Sequence, residues 1–147
     1  MELIDAVTDF SIEKDIVRPE YDVEFRISED REVFAWGRSL IPHSALCCVA
    51  YTHEIPINME QLTEYSINHS PYRGDIAVAY TVWNCSDTKG SGRSLILALQ
   101  KHFSSHAKVN RLVTLSPLTE MAKRFHLSNG ARLLSTNPES YNFEYGL

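Results

Sequence analysis

Apolar and polar residues follow one another along this chain in patterns that predict strands in its first half. Apolar and polar residues alternate over residues 21–27, which is typical of a half-buried strand. After a polar turn, residues 32–36 are typical of the return strand of a hairpin. Residues 45–51 are apolar throughout, which is typical of a central strand covered on both faces. Residues 76–83 form a second apolar run rich in strand-forming residues. These runs predict a sheet.

Two helices are predicted in the middle of the chain. Asn58 is a candidate N-cap with Gln61 at the third helical position, and its helix should reach about residue 69. A polar turn over residues 84–92 then leads into a helix over residues 93–105, where apolar residues recur at helical spacing.

The rest of the chain predicts a strand, a helix and two strands. Residues 111–115 form a short apolar strand, and Ser116 followed by proline is typical of a helix start. Asn129 and a glycine are typical of the end of that helix, and the last strands cover residues 131–135 and 141–145. The succession predicts one α/β (α+β) domain with a central sheet flanked by helices.

The N-terminal residues differ from the rest of the chain in charge. Residues 1–31 hold ten acidic and four basic residues, a net of −6, whereas residues 32–147 hold nine acidic and ten basic residues, a net of +1. We expect residues 1–20 to form a short helix packed on the body or a mobile arm, with the domain proper over residues 21–147. An anionic ligand is expected on the nearly neutral body.

Composition excludes several protein classes. No apolar run approaches the roughly 20 residues that cross a bilayer, and the N-terminus lacks the pattern of a secretory signal, which predicts a cytoplasmic protein without membrane binding. The three cysteines are odd in number and form no CxxC pair, so we expect a reduced compartment and no metal site. The net charge of −5 argues against general nucleic-acid binding.

The strongest chemical feature is a glycine turn between a predicted strand and a predicted helix. Its candidate ligand-binding residues are Lys89, Gly90, Ser91, Gly92, Arg93 and Ser94. Glycines let the backbone approach a ligand, and the first amides of the helix lack intrahelical partners, so the turn favours a phosphate or pyrophosphate. The strings required for a P-loop and for a dinucleotide-binding turn do not occur.

The string Lys89-x-x-Gly92-x-Ser94 is similar to the Arg/Gln-x-x-Gly-x-Gly/Ala signature of the GNAT superfamily of acyl-CoA-dependent acyltransferases, with lysine and serine as conservative departures. The resemblance implies a mixed, mostly antiparallel sheet in which this turn holds the pyrophosphate of coenzyme A. It also implies that strand amides near Val82 polarise the thioester carbonyl, and it allows a homodimer.

Thr-Leu-Ser-Pro at residues 114–117 and Phe-His-Leu-x-Asn-Gly-Ala at residues 125–131 resemble the C-terminal, GNAT-type domain of malonyl-CoA decarboxylases. The likeness covers roughly residues 31–145. It implies that His126 is a general acid/base, and histidine with an ordinary pKa near 6.5 suits that work near neutral pH. Tyr145, which matches the last tyrosine of the family's Asn-Tyr-x-Tyr, is a second candidate proton donor.

Other positions depart from the decarboxylase pattern. The family's serine lies in the strand that matches residues 77–83, where this chain offers the hydroxyl of Thr81. The family's glutamate falls near Cys48, and Phe143 replaces the first tyrosine. The coenzyme-binding turn therefore matches better than the decarboxylation residues.

Three functions follow from these residues. The first is acyl transfer from acetyl-CoA, or another acyl-CoA, to an unidentified amine, with the coenzyme between the strands at residues 76–83 and 111–115 and with His126 or Tyr145 protonating coenzyme A as it leaves. The second is decarboxylation of malonyl-CoA by Thr81 and His126. The third is a catalytically silent module that binds a partner, supported by the missing serine and glutamate. The acceptor stays open.

Overall fold

The computed structural model describes residues 1–38, 42–68, 71–87, 89–106 and 108–147. The helices and strands of these residues are β1 (Glu2–Ile4), α1 (Val23–Ile27), β2 (Arg31–Gly37), β3 (Ala45–Thr52), α2 (Met59–Tyr65), β4 (Ile76–Asn84), α3 (Ser91–Ser104), β5 (Arg111–Thr114), β6 (Ser116–Pro117), α4 (Glu120–Ser128), β7 (Arg132–Thr136) and β8 (Ser140–Tyr145). Among them, no helix combines the length and apolar character that a membrane span requires.

The strands form one sheet in the order β1-β2-β3-β4-β5-β8-β6, and β7 pairs with β8. Strands β4 and β5 run parallel, whereas the other described pairs are antiparallel. This arrangement confirms the predicted mixed, mostly antiparallel sheet flanked by helices.

Helices cover both faces of the sheet. Leu99 and Phe103 of α3 pack on one face, in a core that includes Val49 of β3. Leu62 of α2 packs on the other face, in a second core that includes Val78 of β4. Every residue of β3 is buried, which confirms the predicted central strand covered on both sides.

The predicted helices of the middle of the chain form with shifted ends. Asn58 caps α2, because its side chain accepts a hydrogen bond from the amide of Gln61 at 2.8 Å. Helix α2 ends at Tyr65 rather than near residue 69, which lies outside the described residues. Helix α3 begins at Ser91, two residues before the predicted start.

The strand predicted over residues 21–27 is wrong. Residues Val23–Ile27 form helix α1, because Asp22 caps the helix by accepting a hydrogen bond from the Phe25 amide at 2.8 Å. Strand β2 pairs instead with β1 and β3. Alternating apolar residues over a single short segment fit either element, and the cap decides between them.

The arm, residues 1–20, contains strand β1 and no helix, so the short helix, one of its two expected forms, is not present. Strand β1 pairs with β2 at the edge of the sheet. Beyond it, Val7 and Asp15 are buried against the body. The arm is therefore packed on the sheet along part of its length.

The helix start predicted at Ser116 is also wrong. Ser116 and Pro117 form the short strand β6, which pairs with β8. The Ser116 hydroxyl donates a hydrogen bond to Thr114 at 2.9 Å and caps no helix. Helix α4 begins later, with Thr119 accepting from the Ala122 amide at 3.2 Å. The pairing with a distant strand overrides the local start signal.

Candidate active site

Strands β4 and β5 separate beyond Ala79 and leave a cleft in the sheet. Their ladder ends at the pair of Ala79 with Thr114, followed by one bond from the Leu115 amide to the Ala79 carbonyl at 2.9 Å. Strand β4 continues along β3 to Asn84, whereas the chain after β5 turns to pair with β8. The cleft has a volume of about 680 Å³. It lies in the gap where the sequence predicts the coenzyme.

A β-bulge accompanies the separation of the two strands. In the ladder between β3 and β4, Cys48 faces Thr81 and Val49 faces Ala79, so Tyr80 is the extra residue. A bulge increases the local twist of its strand and interrupts the pairing. This irregularity of β4 falls directly after Ala79, the last β4 residue in the ladder with β5.

Part of the arm lies against the separated strands. The guanidinium of Arg18 donates to the carbonyl of Tyr80 at 3.3 Å and to the carbonyl of Leu115 at 3.1 Å. It thereby links β4 to the segment after β5 where their own ladder has ended. The arm residues that line the cleft are Lys14, Ile16 and Val17.

A buried ion pair holds the arm in place. Asp15 and Arg26 are joined at 2.6 Å between Oδ2 and Nη1, with both side chains fully buried. The other oxygen of Asp15 accepts from the Thr81 hydroxyl at 3.0 Å and from the amides of Val17 and Arg18. Thr81 lines the cleft, but its hydroxyl donates to Asp15.

The glycine turn contributes three of its six candidate residues to the wall of the cleft, namely Gly90, Gly92 and Arg93. The other three do not line it: Lys89 is exposed, Ser91 is buried and Ser94 is partly buried. Gly90 has the left-handed φ of 85° that favours glycine, which lets the chain turn into α3.

Gly92 is closely surrounded. Its amide donates to Asn84 Oδ1 at 2.8 Å, and a Cβ atom there would lie 3.2 Å from the same oxygen and 3.7 Å from the Phe125 ring. A larger side chain would therefore collide with Asn84 or Phe125, both of which line the cleft. Among the described residues that line the cleft, the charged ones are Lys14 and Arg93, both basic, which suits an anionic ligand.

His126 and Tyr145 form a hydrogen-bonded pair at the cleft. Nδ1 of His126 lies 2.7 Å from the Tyr145 hydroxyl, and its ring packs 5.2 Å from that of Phe143, centre to centre. His126, on α4, lines the cleft with only 6% of its surface exposed. Tyr145, at the end of β8, is 1% exposed and is not part of the lining. The imidazole is therefore the member of the pair that faces a ligand.

Burial sets the protonation state of this pair. It lowers the pKa of His126 to about 4 and raises the pKa of Tyr145. Both groups are therefore neutral at pH 7. This differs from the ordinary pKa near 6.5 expected for His126, because a surface histidine and a buried one look alike in a sequence.

Two further positions singled out in the sequence are Val82, on β4, and Cys48, on β3. Val82 is partly buried, faces Cys47 across the ladder and lines the cleft. Cys48, where the decarboxylase pattern has a glutamate, is buried with its sulfur 3.6 Å from Nη1 of Arg26. The carboxylate beside Thr81 comes instead from Asp15 of the arm.

Sequence reasoning missed the polar residues that complete the site. Asp15 and Arg18 stand among other charged residues of an acidic segment, and no local signal distinguishes them. In the sequence, Asn84 belongs only to the polar turn that precedes α3. Asn129 was predicted as a helix end, and it also lines the cleft beside His126. Among the described residues, no group of three or more histidine, cysteine or acidic side chains could hold a metal ion.

The fold is similar to that of solved acyl-CoA enzymes. The malonyl-CoA decarboxylase of Agrobacterium vitis matches 92% of this chain with a TM-score of 0.71 and 19% identity, and the chain spans 56% of that protein's length. NAA60 of Arabidopsis thaliana, solved with a bisubstrate analogue, has a TM-score of 0.57 and 15% identity. That match covers 86% of this chain and 84% of the NAA60 chain. AtaTR bound with AcCoA has a TM-score of 0.58 and 14% identity, and the match covers 97% of this chain and 91% of the AtaTR chain.

The sequence comparisons add no closer relative. No protein-family model matches the chain, and no curated protein matches it. The structural neighbours include N-acetyltransferases as well as malonyl-CoA decarboxylases. This chain has the GNAT fold, with TM-scores of 0.65 to 0.71 to three malonyl-CoA decarboxylase structures and of 0.51 and 0.52 to two acetyltransferase structures.

Proposed function

We propose that this chain binds an acyl-CoA in the cleft and transfers the acyl group, with acetyl as the first candidate, to an amine. The observation that carries the proposal is a buried, neutral imidazole, that of His126, in the same cleft as Gly90, Gly92 and Arg93. The cleft thus combines a basic residue at a helix start with a proton acceptor.

The glycine turn is the proposed site of the coenzyme's pyrophosphate. The N-terminus of a helix favours an anion, and Arg93 adds a positive charge at the wall of the cleft. Lys89, Ser91 and Ser94 are proposed to support the turn from outside the lining. Backbone amides near Val82 are proposed to polarise the thioester carbonyl.

In the proposed reaction, the amine nitrogen attacks the thioester carbon and forms a C–N bond. As the C–S bond breaks, its electron pair leaves with the sulfur of coenzyme A. His126 takes a proton from the attacking nitrogen and delivers it to the sulfur. Because burial lowers the pKa of His126, the imidazolium formed in this step releases its proton readily. Tyr145 positions the ring through the 2.7 Å contact.

Decarboxylation of malonyl-CoA is a second candidate function. It is favoured by the likeness to the decarboxylase of Agrobacterium vitis and by the position of Thr81 and His126 in one cleft. The hydroxyl of Thr81 donates to Asp15, however, and would have to be released before it could bind a substrate carboxylate. Transfer needs no such rearrangement, so we place it first.

Mass analysis of products separates the two functions. The protein is incubated with acetyl-CoA and a panel of amines, and separately with malonyl-CoA alone. Transfer predicts amine-dependent release of coenzyme A and an acetylated amine, with a rate that His126→Gln lowers by roughly 10²- to 10⁴-fold. The exposed His53→Gln is the matched control. Formation of acetyl-CoA from malonyl-CoA, without transfer to any amine, would establish the second function instead.

A further inference from the structure

Lys14 is a basic residue of the arm that the proposed reaction does not use. Its side chain is exposed and lines the cleft. The arm holds six acidic residues and only two basic ones, Lys14 and Arg18, yet none of the acidic residues belongs to the described lining. The arm therefore presents a positive charge to the cleft, although most of its own charge is negative.

The residue next to Lys14 anchors this part of the arm. The carboxylate of Asp15 is fully buried and pairs with Arg26 at 2.6 Å. It also accepts hydrogen bonds from the backbone amides of Val17 and Arg18. The negative charge of Asp15 is thus compensated inside the protein and does not cancel that of Lys14. An anchored backbone lets the lysine meet a ligand with a smaller loss of conformational freedom than a mobile tail would.

Two hydrogen bonds place the Lys14 ammonium near the glycine turn. Nζ donates to the carbonyl of Cys85 at 3.1 Å. Cys85 directly follows Asn84, whose side-chain oxygen accepts from the Gly92 amide at 2.8 Å. Lys14 and the start of α3 are therefore attached to consecutive residues at the end of β4.

The ammonium keeps donors for a ligand. It carries three N–H groups, and within the described residues Lys14 uses one of them, on Cys85. Arg93, the other charged residue of the described lining, lies in the first turn of α3. The two cations thus reach the same end of the cleft from different elements, the arm and the helix. A diphosphate offers acceptor oxygens on two phosphorus atoms and can contact both.

We propose that the Lys14 ammonium binds a pyrophosphate oxygen of the coenzyme from the arm, while Arg93 binds the same group from α3. This inference rests on the proposed function, because it takes the ligand to be a thioester of coenzyme A. The thioester and the pantetheine arm carry no negative charge, so they offer Lys14 no ionic partner. Lys14 is thus assigned as a coenzyme-binding residue, and the arm becomes part of the coenzyme site.

Titration with two coenzymes at two salt concentrations tests the assignment. Acetyl-CoA carries the pyrophosphate and a separate phosphate on its ribose, whereas acetyl-dephospho-CoA carries the pyrophosphate alone. Calorimetry measures both dissociation constants for the wild type, Lys14→Met and Lys14→Arg, with no amine present. Lys14→Met keeps a long side chain without its charge, and Lys14→Arg keeps the charge. Lys101→Met, which removes the same charge from an exposed position outside the lining, is the matched control.

The expected loss is electrostatic and equal for the two ligands. At about 0.02 M salt, Lys14→Met should bind each ligand about fivefold more weakly than the wild type, the scale of one exposed ion pair. At about 0.5 M salt, where the Debye length is about 4 Å, the difference should fall below about twofold. Lys14→Arg and Lys101→Met should stay within about twofold of the wild type at both salt concentrations.

Other results would overturn the assignment. A loss for acetyl-CoA alone would place Lys14 on the ribose phosphate, and an equal loss at both salt concentrations would show that its apolar stem acts by packing. No loss for either ligand would remove Lys14 from the coenzyme site. Each of these results refutes the role of Lys14 alone, because the wild type still binds. A wild type that binds neither ligand refutes the proposed function as well.

Discussion

Nδ1 of His126 lies 2.7 Å from the hydroxyl of Tyr145, a contact that joins helix α4 to the last strand of the sheet. The ring has two nitrogens, and Tyr145 engages Nδ1. Nε2 is then the nitrogen proposed to exchange a proton with substrate. His126 lies in the wall of the cleft and Tyr145 lies behind it. We therefore expect His126 to transfer the proton and Tyr145 to position the His126 ring.

Replacing Tyr145 by phenylalanine removes the hydroxyl and keeps the ring. We expect kcat to fall about fivefold, since a positioning hydrogen bond is worth about 1 kcal/mol, with little change in KM for the acyl-CoA. Steady-state kinetics measure both constants. Tyr141→Phe, on the same strand, is the control. An increase in KM at constant kcat would show that Tyr145 binds the substrate instead.

The protonation of His126 can be observed directly. Because burial lowers its pKa to about 4, the ring should stay neutral between pH 5.5 and 8. NMR of the imidazole, assigned by comparison with His126→Gln, measures the titration. A midpoint at pH 6 or above would contradict a neutral base in the cleft.

The same lowered pKa makes stability depend on pH. As the pH falls, His126 of the unfolded chain, with an ordinary pKa near 6.5, binds a proton before His126 of the folded chain does. The contribution of His126 to the free energy of unfolding is therefore fully present above pH 6.5 and is lost as the pH falls toward 4. Between pH 7 and 4.5 the free energy of unfolding should fall about 2 kcal/mol more for the wild type than for His126→Gln. Urea denaturation of both proteins at both pH values measures this difference. An equal fall in the free energy of unfolding for the wild type and His126→Gln would contradict the prediction.

Arg93 and Lys89 flank the glycine turn but differ in position, since Arg93 lines the cleft and Lys89 does not. Arg93→Met should weaken binding of coenzyme A about tenfold at low salt, and Lys89→Met by less than about threefold. Calorimetry at two salt concentrations measures both effects. The reverse order would place the pyrophosphate on the outer side of the turn.

The ion pair between Asp15 and Arg26 should be a major source of stability for the arm. Asp15→Asn leaves the buried guanidinium without its partner charge, a change that costs about 3–5 kcal/mol. Chemical denaturation measures the loss, with the exposed Glu13→Gln as the control. A loss below about 1 kcal/mol would show that the arm contributes little to the folded state.

The sequence predicted the parts of the fold whose signals are local and strong. The unbroken apolar run of β3, the cap at Asn58 and the glycine turn before α3 each have one dominant physical cause. The errors at residues 21–27 and at Ser116 arose where local patterns fit two structures. There, a capping aspartate in one case and pairing with β8 in the other decided the outcome.

The candidate site was predictable in part for the same reason. His126, Gly92 and Tyr145 belong to motifs whose spacing is visible in the sequence, although only the fold shows that Tyr145 lies behind His126. The contacts of Asp15 join residues distant in sequence, including a bond to Thr81, 66 residues away. No periodicity or motif marks such a long-range polar pair, so it requires the structure.

Calorimetric titration of the wild type with acetyl-CoA tests the central claim, that the cleft between β4 and β5 binds an acyl-CoA. We predict one site per chain with a dissociation constant between about 1 µM and 1 mM. Gly92→Glu, whose side chain would enter the space beside Asn84 and Phe125, should abolish binding while the protein stays folded by circular dichroism. Absence of binding by the wild type at millimolar acetyl-CoA, malonyl-CoA and coenzyme A would contradict the claim.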